Sequence, residues 1–311
     1  MSNSNDTGNI DEDYYLSDIH VENESKNDEK SGIKITRIEF DLPRSENQEE
    51  HEIDSDGDLV IERKPNKKSI FIQHYMQTRI SDVGFQLWRA SFFLSDFLLD
   101  NLNIIKDKTV IDLGSGLGIT SFFASLFAKL VYCTDLEKFV KQAQANWVLN
   151  EQCLAEQSGN IFFKQIDWSN HESLFNLPTN GNNEFSLNEN DIQNIKSATV
   201  FIAADVVYDN TITVKLMNII YGLMVNGVKQ RKVCYLANER RINFSTENYQ
   251  VADTASDFFI ECLKELDQYV DTNAGFKFKT EKIECDSIKN YITNYKRNKY
   301  LYLWKIECEP V

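Results

Sequence analysis

The sequence predicts an α/β fold in which a doubly wound, mostly parallel sheet is covered by helices on both faces. Short apolar runs alternate with segments of helical periodicity from about residue 70 to the end of the chain. One apolar run, residues 110–113, enters three glycines at alternate positions, and the next run ends on Asp135. A strand, a tight turn, a helix and a second strand ending on an acid form the typical first unit of such a sheet.

The remaining elements follow from the same two patterns. The predicted strands are short runs rich in Val, Ile, Phe and Tyr, at residues 70–72, 109–113, 130–135, 161–165, 198–204, 233–237, 276–278 and 300–306. The predicted helices carry apolar residues at helical spacing, at residues 89–99, 119–129, 136–150, 211–226 and 253–268. Because the run 198–204 is apolar without a break, we expect it to be a central parallel strand.

The first 58 residues differ from the rest of the chain in composition. Residues 1–60 hold 18 Asp or Glu against 5 Lys or Arg, whereas the remainder holds 30 against 28. So polar a segment buries too little apolar surface to offset its ordering entropy. We therefore expect residues 1–58 to be a disordered acidic tail and residues 59–311 to be the folded domain. Residues 170–196 are polar and rich in Asn, and are expected to be a surface insertion.

Composition also excludes several classes of function. The six cysteines are scattered without paired spacing, which is typical of reduced thiols in an intracellular protein of the nucleus or cytoplasm. The start of the chain lacks a signal-peptide pattern, no apolar run approaches the roughly 18 residues of a membrane span, and the histidines form no metal-ligand set. The acidic segment is expected to be a solvated tail, with attraction of a basic protein partner as the alternative interpretation. Its charge argues against direct nucleic-acid binding. A monomer is the default expectation.

The glycine loop limits the classes of cofactor that the chain can bind. A dinucleotide fingerprint requires a glycine where Ile119 stands, and no Lys-Ser or Lys-Thr pair follows to form a phosphate loop. A cofactor with an adenosine and no pyrophosphate fits the loop Gly114-Ser115-Gly116, so S-adenosylmethionine is the predicted cofactor. Asp135 would accept hydrogen bonds from its ribose hydroxyls. An ordinary tight strand-to-helix turn is the alternative for the loop alone.

Three successive predicted strands end on an acid, at Asp135, Asp167 and Asp205. Ligands of open α/β sheets bind beyond the carboxyl ends of the strands, so these side chains are expected to meet. Asp167 would accept from an adenine amino group and Trp168 would offer an aromatic face, with plain core packing as its alternative. Asp205 and Tyr208 would lie at the reactive end of the cofactor, where they suit a cationic or amine-bearing substrate. Taken singly, each acid also reads as a cap or turn residue.

These residues resemble methyltransferase family 16, the seven-strand protein-lysine methyltransferases. The resemblance runs from about residue 80 to the end of the chain and rests on six motifs: 82–89 (DVGFQLWR), the glycine loop, 131–135 (VYCTD), the pair Asp167-Trp168, the D-x-x-Y box at 205–208, and 238–244 (NERRINF). The Asn-rich insertion and the tail depart from the family pattern.

The resemblance implies a Rossmann-like sheet of seven strands, with the last strand antiparallel and inserted between neighbours. It also implies that Trp88 and the backbone of Gly114 to Gly116 contact the methionine end and ribose of the cofactor, and that Asp135, Trp168 and Ala204 complete the pocket. The implied activity is methylation of a lysine in another protein. On this view Asp205 and Tyr208 orient the lysine nitrogen, and proximity supplies most of the rate.

Two other functions remain open at this point. The first is a nucleic-acid or small-molecule methyltransferase. Amino-group methylation of bases usually accompanies an Asn/Asp-Pro-Pro-Tyr/Phe box, in which Val206 and Val207 replace both prolines here. The second is an adaptor that binds the cofactor without turnover, against which the intact loop, Asp135 and the D-x-x-Y box all argue.

Overall fold

The computed structural model describes residues 32–43, 67–154, 159–176, 183–241 and 253–311. It also describes the backbone of six short strands outside or between these ranges: Tyr14–Leu16, Lys26–Asp28, Glu52–Ile53, Leu59–Val60, Asn243–Ser245 and Gln250–Ala252. Most of residues 1–58 and the middle of the Asn-rich segment, residues 177–182, lie outside the described residues.

The main sheet contains eight strands of the described chain. They are β1 (Thr109–Leu113), β2 (Leu130–Asp135), β3 (Asn160–Gln165), β4 (Val200–Ala204), β5 (Lys232–Glu239), β6 (Val270–Asp271), β7 (Phe276–Ile283) and β8 (Leu301–Pro310). Their order across the sheet is β3-β2-β1-β4-β5-β8-β7-β6, and β1 to β5 are parallel. The predicted doubly wound α/β fold is confirmed, including the antiparallel last strand, which pairs with β5 and β7. The two-residue β6 adds an edge strand that the pattern did not indicate.

Helices cover both faces of this sheet. They are α1 (Arg89–Asp100), α2 (Ile119–Ser125), α3 (Glu137–Leu154), α4 (Glu189–Ser197), α5 (Asn210–Val225) and α6 (Thr254–Leu266), with 3-10 turns at Ile80–Phe85, Leu102–Ile104 and Trp168–Asn176. Neighbouring residues of β1 enter different apolar clusters: Val110 packs with α1 and α2, and Ile111 packs with α4 to α6. Helix α2 ends four residues before its predicted limit, where Ala128 pairs with Lys106 and the chain turns into β2.

Residues 33–41 correct the prediction of a disordered tail and its boundary at residue 58. The strand Ile33–Asp41 pairs antiparallel with the strand Lys67–Tyr75, and we call this pair the amino-terminal ribbon. Ile38 and Phe40 are fully buried in the same cluster as α1 and α2. The strand was missed because its buried residues alternate with charged ones, so its average composition resembles that of the polar segment around it.

Truncation of Phe40 tests whether the ribbon belongs to the folded core. Its ring packs edge-on against Phe123, with 4.9 Å between centroids. Phe40→Ala is expected to lower the free energy of unfolding by about 3 kcal/mol, since it leaves a cavity in a dense core. Phe71→Ala is the matched control, because Phe71 is 45% exposed on the partner strand. Urea unfolding measures both, and equal effects of the two substitutions would exclude the ribbon from the core.

The Asn-rich segment is also more ordered than a surface insertion. Asn188 and Asp191 form a reciprocal capping box that starts α4, and Ile192 and Ile195 are buried beneath the sheet. The Asp191 carboxylate accepts a hydrogen bond from the Tyr132 hydroxyl at 3.0 Å and lies 2.9 Å from the Lys164 ammonium. The described parts of residues 170–196 therefore belong to the helical layer of the fold. The capping box and α4 were not predicted, because most residues of this segment are polar and the helix buries few apolar side chains.

Within the described part of the chain, no helix is long and apolar enough to cross a membrane, and no cluster of three metal-binding side chains occurs.

Candidate functional site

A cavity of about 660 Å³ lies beyond the carboxyl ends of β1, β2 and β4. This volume falls in the range of small-molecule and cofactor sites. We call it the strand-end cavity. All ten residues that the sequence proposed for the site line it: Trp88, Gly114, Ser115, Gly116, Asp135, Asp167, Trp168, Ala204, Asp205 and Tyr208. The structure therefore brings together side chains from four separate strand ends and from the segment before α1.

The glycine loop forms one wall of the strand-end cavity with bare backbone. Gly114, Gly116 and Gly118 have φ values of 71°, 52° and 88°, which favour glycine. The N–H groups of Gly114 and Ser115 both donate to the Thr134 carbonyl at 3.0 Å, which ties the loop to β2. A Cβ on Gly114 would lie 2.7 Å from Val206 Cγ1, and one on Gly116 would lie 3.0 Å from the Gly84 carbonyl oxygen. Both positions are sterically restricted to glycine.

Asp135 ends β2 at the centre of the site. Its Oδ2 accepts a hydrogen bond from the Gly116 N–H at 2.9 Å, and its Oδ1 accepts one from the Leu136 N–H at 2.7 Å. Burial raises the pKa of this carboxyl to about 6, although both hydrogen bonds oppose the shift. Each oxygen keeps a further lone pair, so the ionised carboxylate can accept from two neighbouring hydroxyls, such as those of a ribose.

Asparagine at position 135 is expected to weaken S-adenosylhomocysteine binding about thirtyfold at pH 7.5, because charge-assisted hydrogen bonds are worth about 2 kcal/mol. Hydroxyl donors favour the ionised carboxylate. Wild-type affinity should therefore rise with pH until the pH passes about 6, and Asp135→Asn should lack this component. Calorimetric titrations between pH 5.5 and 8 measure both effects. Asp257→Asn, on the exposed face of α6, is the control, and a variant as pH-dependent as the wild type would contradict the role of Asp135.

Asp167 and Trp168 follow β3 on the other side of the loop. Asp167 Oδ1 accepts from the Ser169 N–H at 2.8 Å, which makes it a turn residue as well as a cavity wall. The Trp168 ring packs against the apolar cluster that Ile111 forms with α4 to α6. It would lie 3.1 Å from a Cβ added at Gly114. Trp168 therefore both packs against the core and lines the cavity, so the two interpretations of this residue are compatible.

Asp205 occupies a strained position directly after β4, with φ of 55°. Its side chain is buried, and both oxygens accept backbone hydrogen bonds: Oδ2 from the Ala90 N–H at 2.9 Å and Oδ1 from the Glu239 N–H at 3.1 Å. The carboxylate therefore joins the start of α1 and the end of β5 to the site. Backbone anchoring therefore uses part of the capacity of Asp205 to accept hydrogen bonds, and its predicted part in orienting a substrate nitrogen stays a prediction.

Tyr208 completes the D-x-x-Y box and lines the strand-end cavity. Burial and the nearby charges of Asp135 and Asp209 raise the pKa of its phenol to about 12. The hydroxyl is therefore neutral at physiological pH and can both donate and accept a hydrogen bond. Asp209, which caps α5 by accepting from the Ile212 N–H, fixes the segment that carries Tyr208.

Two residues near the site were not among the ten predicted site residues, although one of them, Arg241, lies in the 238–244 motif, for which the sequence leaves open both contact with the substrate and capping of the sheet edge. Asp112 lines the cavity from within β1, accepts from the Ser121 hydroxyl at 2.7 Å, and has its pKa raised to about 7 by burial. Asp112 stands two residues before Gly114, and an acid within an otherwise apolar strand could have been recognised in the sequence. Arg241 has its guanidinium carbon 4.1 Å from the centre of the Trp88 ring. Arg241 and Trp88 are far apart in the sequence, and only the folded chain brings them together.

A family model described as lysine methyltransferase matches residues 65–265. The mouse and human proteins named methyltransferase-like protein 22 are 33% and 32% identical to this chain, covering 84% and 78% of it. The matches cover 64% and 58% of those two proteins, so the chain spans less than two thirds of their length.

Two further matches are more distant. A protein-lysine N-methyltransferase of Schizosaccharomyces pombe, rrg1, is 26% identical over 98 residues, covering 31% of this chain and 32% of that protein. Among solved structures, phosphoethanolamine N-methyltransferase 1 of Haemonchus contortus matches 71% of this chain and 42% of its own, with 16% identity and a TM-score of 0.42. A structural similarity of that size supports no functional inference.

Proposed function

This chain belongs to the lysine methyltransferase family, and from that premise we propose that it methylates the side-chain amine of a lysine in another protein. S-adenosylmethionine is its cofactor, and its activity is that of a methyltransferase. The observation that carries the proposal is the strand-end cavity, where a glycine loop, three strand-end acids and the D-x-x-Y box share one volume. The names of the mouse, human and fission-yeast relatives support it further.

The residues of the cavity fit this cofactor. Gly114 and Gly116 leave room for close approach to the backbone, and Asp135 offers acceptors for two ribose hydroxyls. Asp112 adds a buried acid to the cavity lining, and because its pKa is about 7, a ligand that carries a sulfonium and an ammonium would favour its ionised form. The bound cofactor supplies an activated methyl group, whose bond to sulfur breaks as a bond to an unprotonated amine forms, leaving a neutral thioether.

The protein must bring a neutral amine to this methyl group. A lysine of pKa about 10.4 costs roughly 4–5 kcal/mol to deprotonate at pH 7, since each unit is worth about 1.36 kcal/mol. A half-buried cavity lined largely by apolar groups lowers that cost, because desolvation disfavours the ammonium. The neutral hydroxyl of Tyr208 accepts a hydrogen bond from the nitrogen and orients its lone pair. After transfer, the methylated ammonium releases its extra proton to water.

The proposal is tested by incubating the protein with tritium-methyl S-adenosylmethionine and an extract of cells that lack it. We expect label in a protein band that survives nuclease treatment and yields methyllysine after acid hydrolysis. Tyr208→Phe should reduce incorporation at least about tenfold without changing cofactor affinity, because it removes only the orienting hydroxyl. The exposed Tyr269 is the matched control, and Tyr269→Phe should leave the rate unchanged.

Each alternative gives a different result in the same experiment. Label in nucleic acid or in a small-molecule fraction would assign the enzyme to another substrate class. Cofactor binding without incorporation would indicate an adaptor. Full incorporation by Tyr208→Phe would leave the protein-lysine proposal standing and remove Tyr208 from its mechanism.

A further inference from the structure

Arg241 lies at a position that suits a substrate cation. Its guanidinium stacks over the Trp88 indole at 4.1 Å, and its Nη2 lies 3.6 Å from Asp205 Oδ1. Resting on the proposed function, we propose that the space between the Trp88 face and the Asp205 carboxylate is a cation subsite for the substrate lysine. Arg241 occupies this subsite until the substrate arrives and is then displaced from it.

The subsite is chemically selective for cations. The indole Nε1–H of Trp88 already donates to the Val83 carbonyl at 2.8 Å, so the ring offers its π face, whose quadrupole attracts positive charge. Asp205 contributes a nearly fully buried carboxylate, whose Oδ1 lies 3.6 Å from the Arg241 Nη2. These two groups match an arriving alkylammonium, and the nitrogen loses its proton to water when it moves on into the adjoining cavity lined by Tyr208, where desolvation disfavours the charge.

Displacement of Arg241 requires a replacement charge. The Asp205 side chain is 1% exposed, and the Arg241 guanidinium is the cation paired with it. A buried carboxylate left without a counter-charge is strongly unfavourable. A neutral ligand therefore gains little from expelling Arg241, whereas an ammonium restores the balance. The exchange itself selects a cationic acceptor.

The backbone around Arg241 allows the side chain to move alone. Its N–H donates to Asp253 Oδ2 at 2.7 Å, and the N–H of Arg240 donates to the Tyr300 carbonyl at 3.0 Å. The Arg241 side chain is 30% exposed, and its separation of 3.6 Å from Asp205 is longer than a direct hydrogen bond. Arg240 points elsewhere and pairs with Asp257 on α6. Arg240 thus pairs with α6, whereas Arg241 occupies the subsite without a direct hydrogen bond to Asp205.

The test is a titration of n-butylammonium, the lysine side chain without its backbone, into protein saturated with S-adenosylhomocysteine. Binding is followed by the indole N–H signal of Trp88 in nitrogen-15 NMR, assigned with Trp88→Phe. Removing the competing guanidinium in Arg241→Ala should tighten n-butylammonium binding about tenfold, and Arg241→Gln should do so to a similar degree. Arg240→Ala is the matched control and should bind like the wild type. n-Butanol, a neutral ligand of similar shape, should bind each protein more weakly than n-butylammonium, and the Arg241 substitutions should not tighten its binding.

Weaker or unchanged n-butylammonium binding in folded Arg241→Gln would overturn the proposal, as would equal binding of n-butanol. Thermal melts establish that each variant is folded. The outcome is separable from that of the proposed function. A subsite that takes n-butylammonium while no protein in the extract is labelled would contradict the protein-lysine assignment only. Labelled protein without the Arg241 effect would contradict the subsite only.

Discussion

Gly114→Val is expected to lower the affinity for S-adenosylhomocysteine by at least about 100-fold while the protein remains folded. The position has φ of 71°, which is costly for a β-branched residue. The new Cβ would also lie 2.7 Å from Val206 Cγ1 and 3.1 Å from the Trp168 ring. Relief of these contacts requires the loop, Val206 or the Trp168 ring to shift, and all three line the strand-end cavity. About 2.7 kcal/mol of lost binding corresponds to 100-fold.

Gly222→Ala provides the matched control for this substitution. Gly222 lies within α5, and a Cβ there meets no atom within 4 Å. We expect unchanged cofactor affinity and a slightly higher melting temperature, because alanine favours the helix. Isothermal titration of both variants decides the matter. Wild-type affinity in Gly114→Val would show that the loop does not contact the cofactor.

The largest stability effect is expected at Asp96, far from the cofactor. This fully buried carboxylate in α1 accepts from the N–H groups of Tyr291 and Ile292 at 2.8 and 2.9 Å and from the Tyr295 hydroxyl at 2.5 Å. It also pairs with the Arg297 guanidinium at 2.6 Å. Asp96→Ala removes this acceptor from all four donors at once and the counter-charge from Arg297, whose guanidinium keeps its hydrogen bonds to the Ile288 and Lys289 carbonyls. A loss of about 4–5 kcal/mol of unfolding free energy is expected.

Asp96→Asn separates the loss of charge from the loss of acceptors. The amide oxygen still serves the two backbone N–H groups, so a smaller loss, about 2 kcal/mol, is expected. Ser91→Ala on the same helix, whose hydroxyl donates to the Trp88 carbonyl just before the helix, should have little effect on stability. Guanidinium unfolding curves give these values. A loss below about 1 kcal/mol for Asp96→Ala would show that the segment around residues 291–297 is not held by α1.

These two substitutions illustrate which features could be read from the sequence. The glycine loop and Asp135 were predictable because their chemistry is local: positive φ requires glycine, and strand ends of a parallel sheet meet at one edge. The network around Asp96 was not, because it joins residues about 200 positions apart, from Asp96 to Arg297. No periodic pattern records such a contact.

The same distinction applies within the site. The sequence placed Asp205 and Tyr208 at one strand end, and the structure brings them together at the strand-end cavity. The direction of the Asp205 carboxylate toward the Ala90 and Glu239 N–H groups depends on how α1 and β5 approach β4. Arg241 reaches Trp88 only because β5 and the start of α1 are neighbours in space. Residue types were predictable there, and their partners were not.

The central claim, that the strand-end cavity holds the cofactor and presents it to a lysine, is tested most directly by a crystal structure with S-adenosylhomocysteine. The account predicts the ribose hydroxyls within hydrogen-bond distance of the Asp135 carboxylate, the adenine beside Trp168, and the sulfur facing the Tyr208 side of the cavity. A ligand bound elsewhere, or with its ribose out of reach of Asp135, would contradict the account.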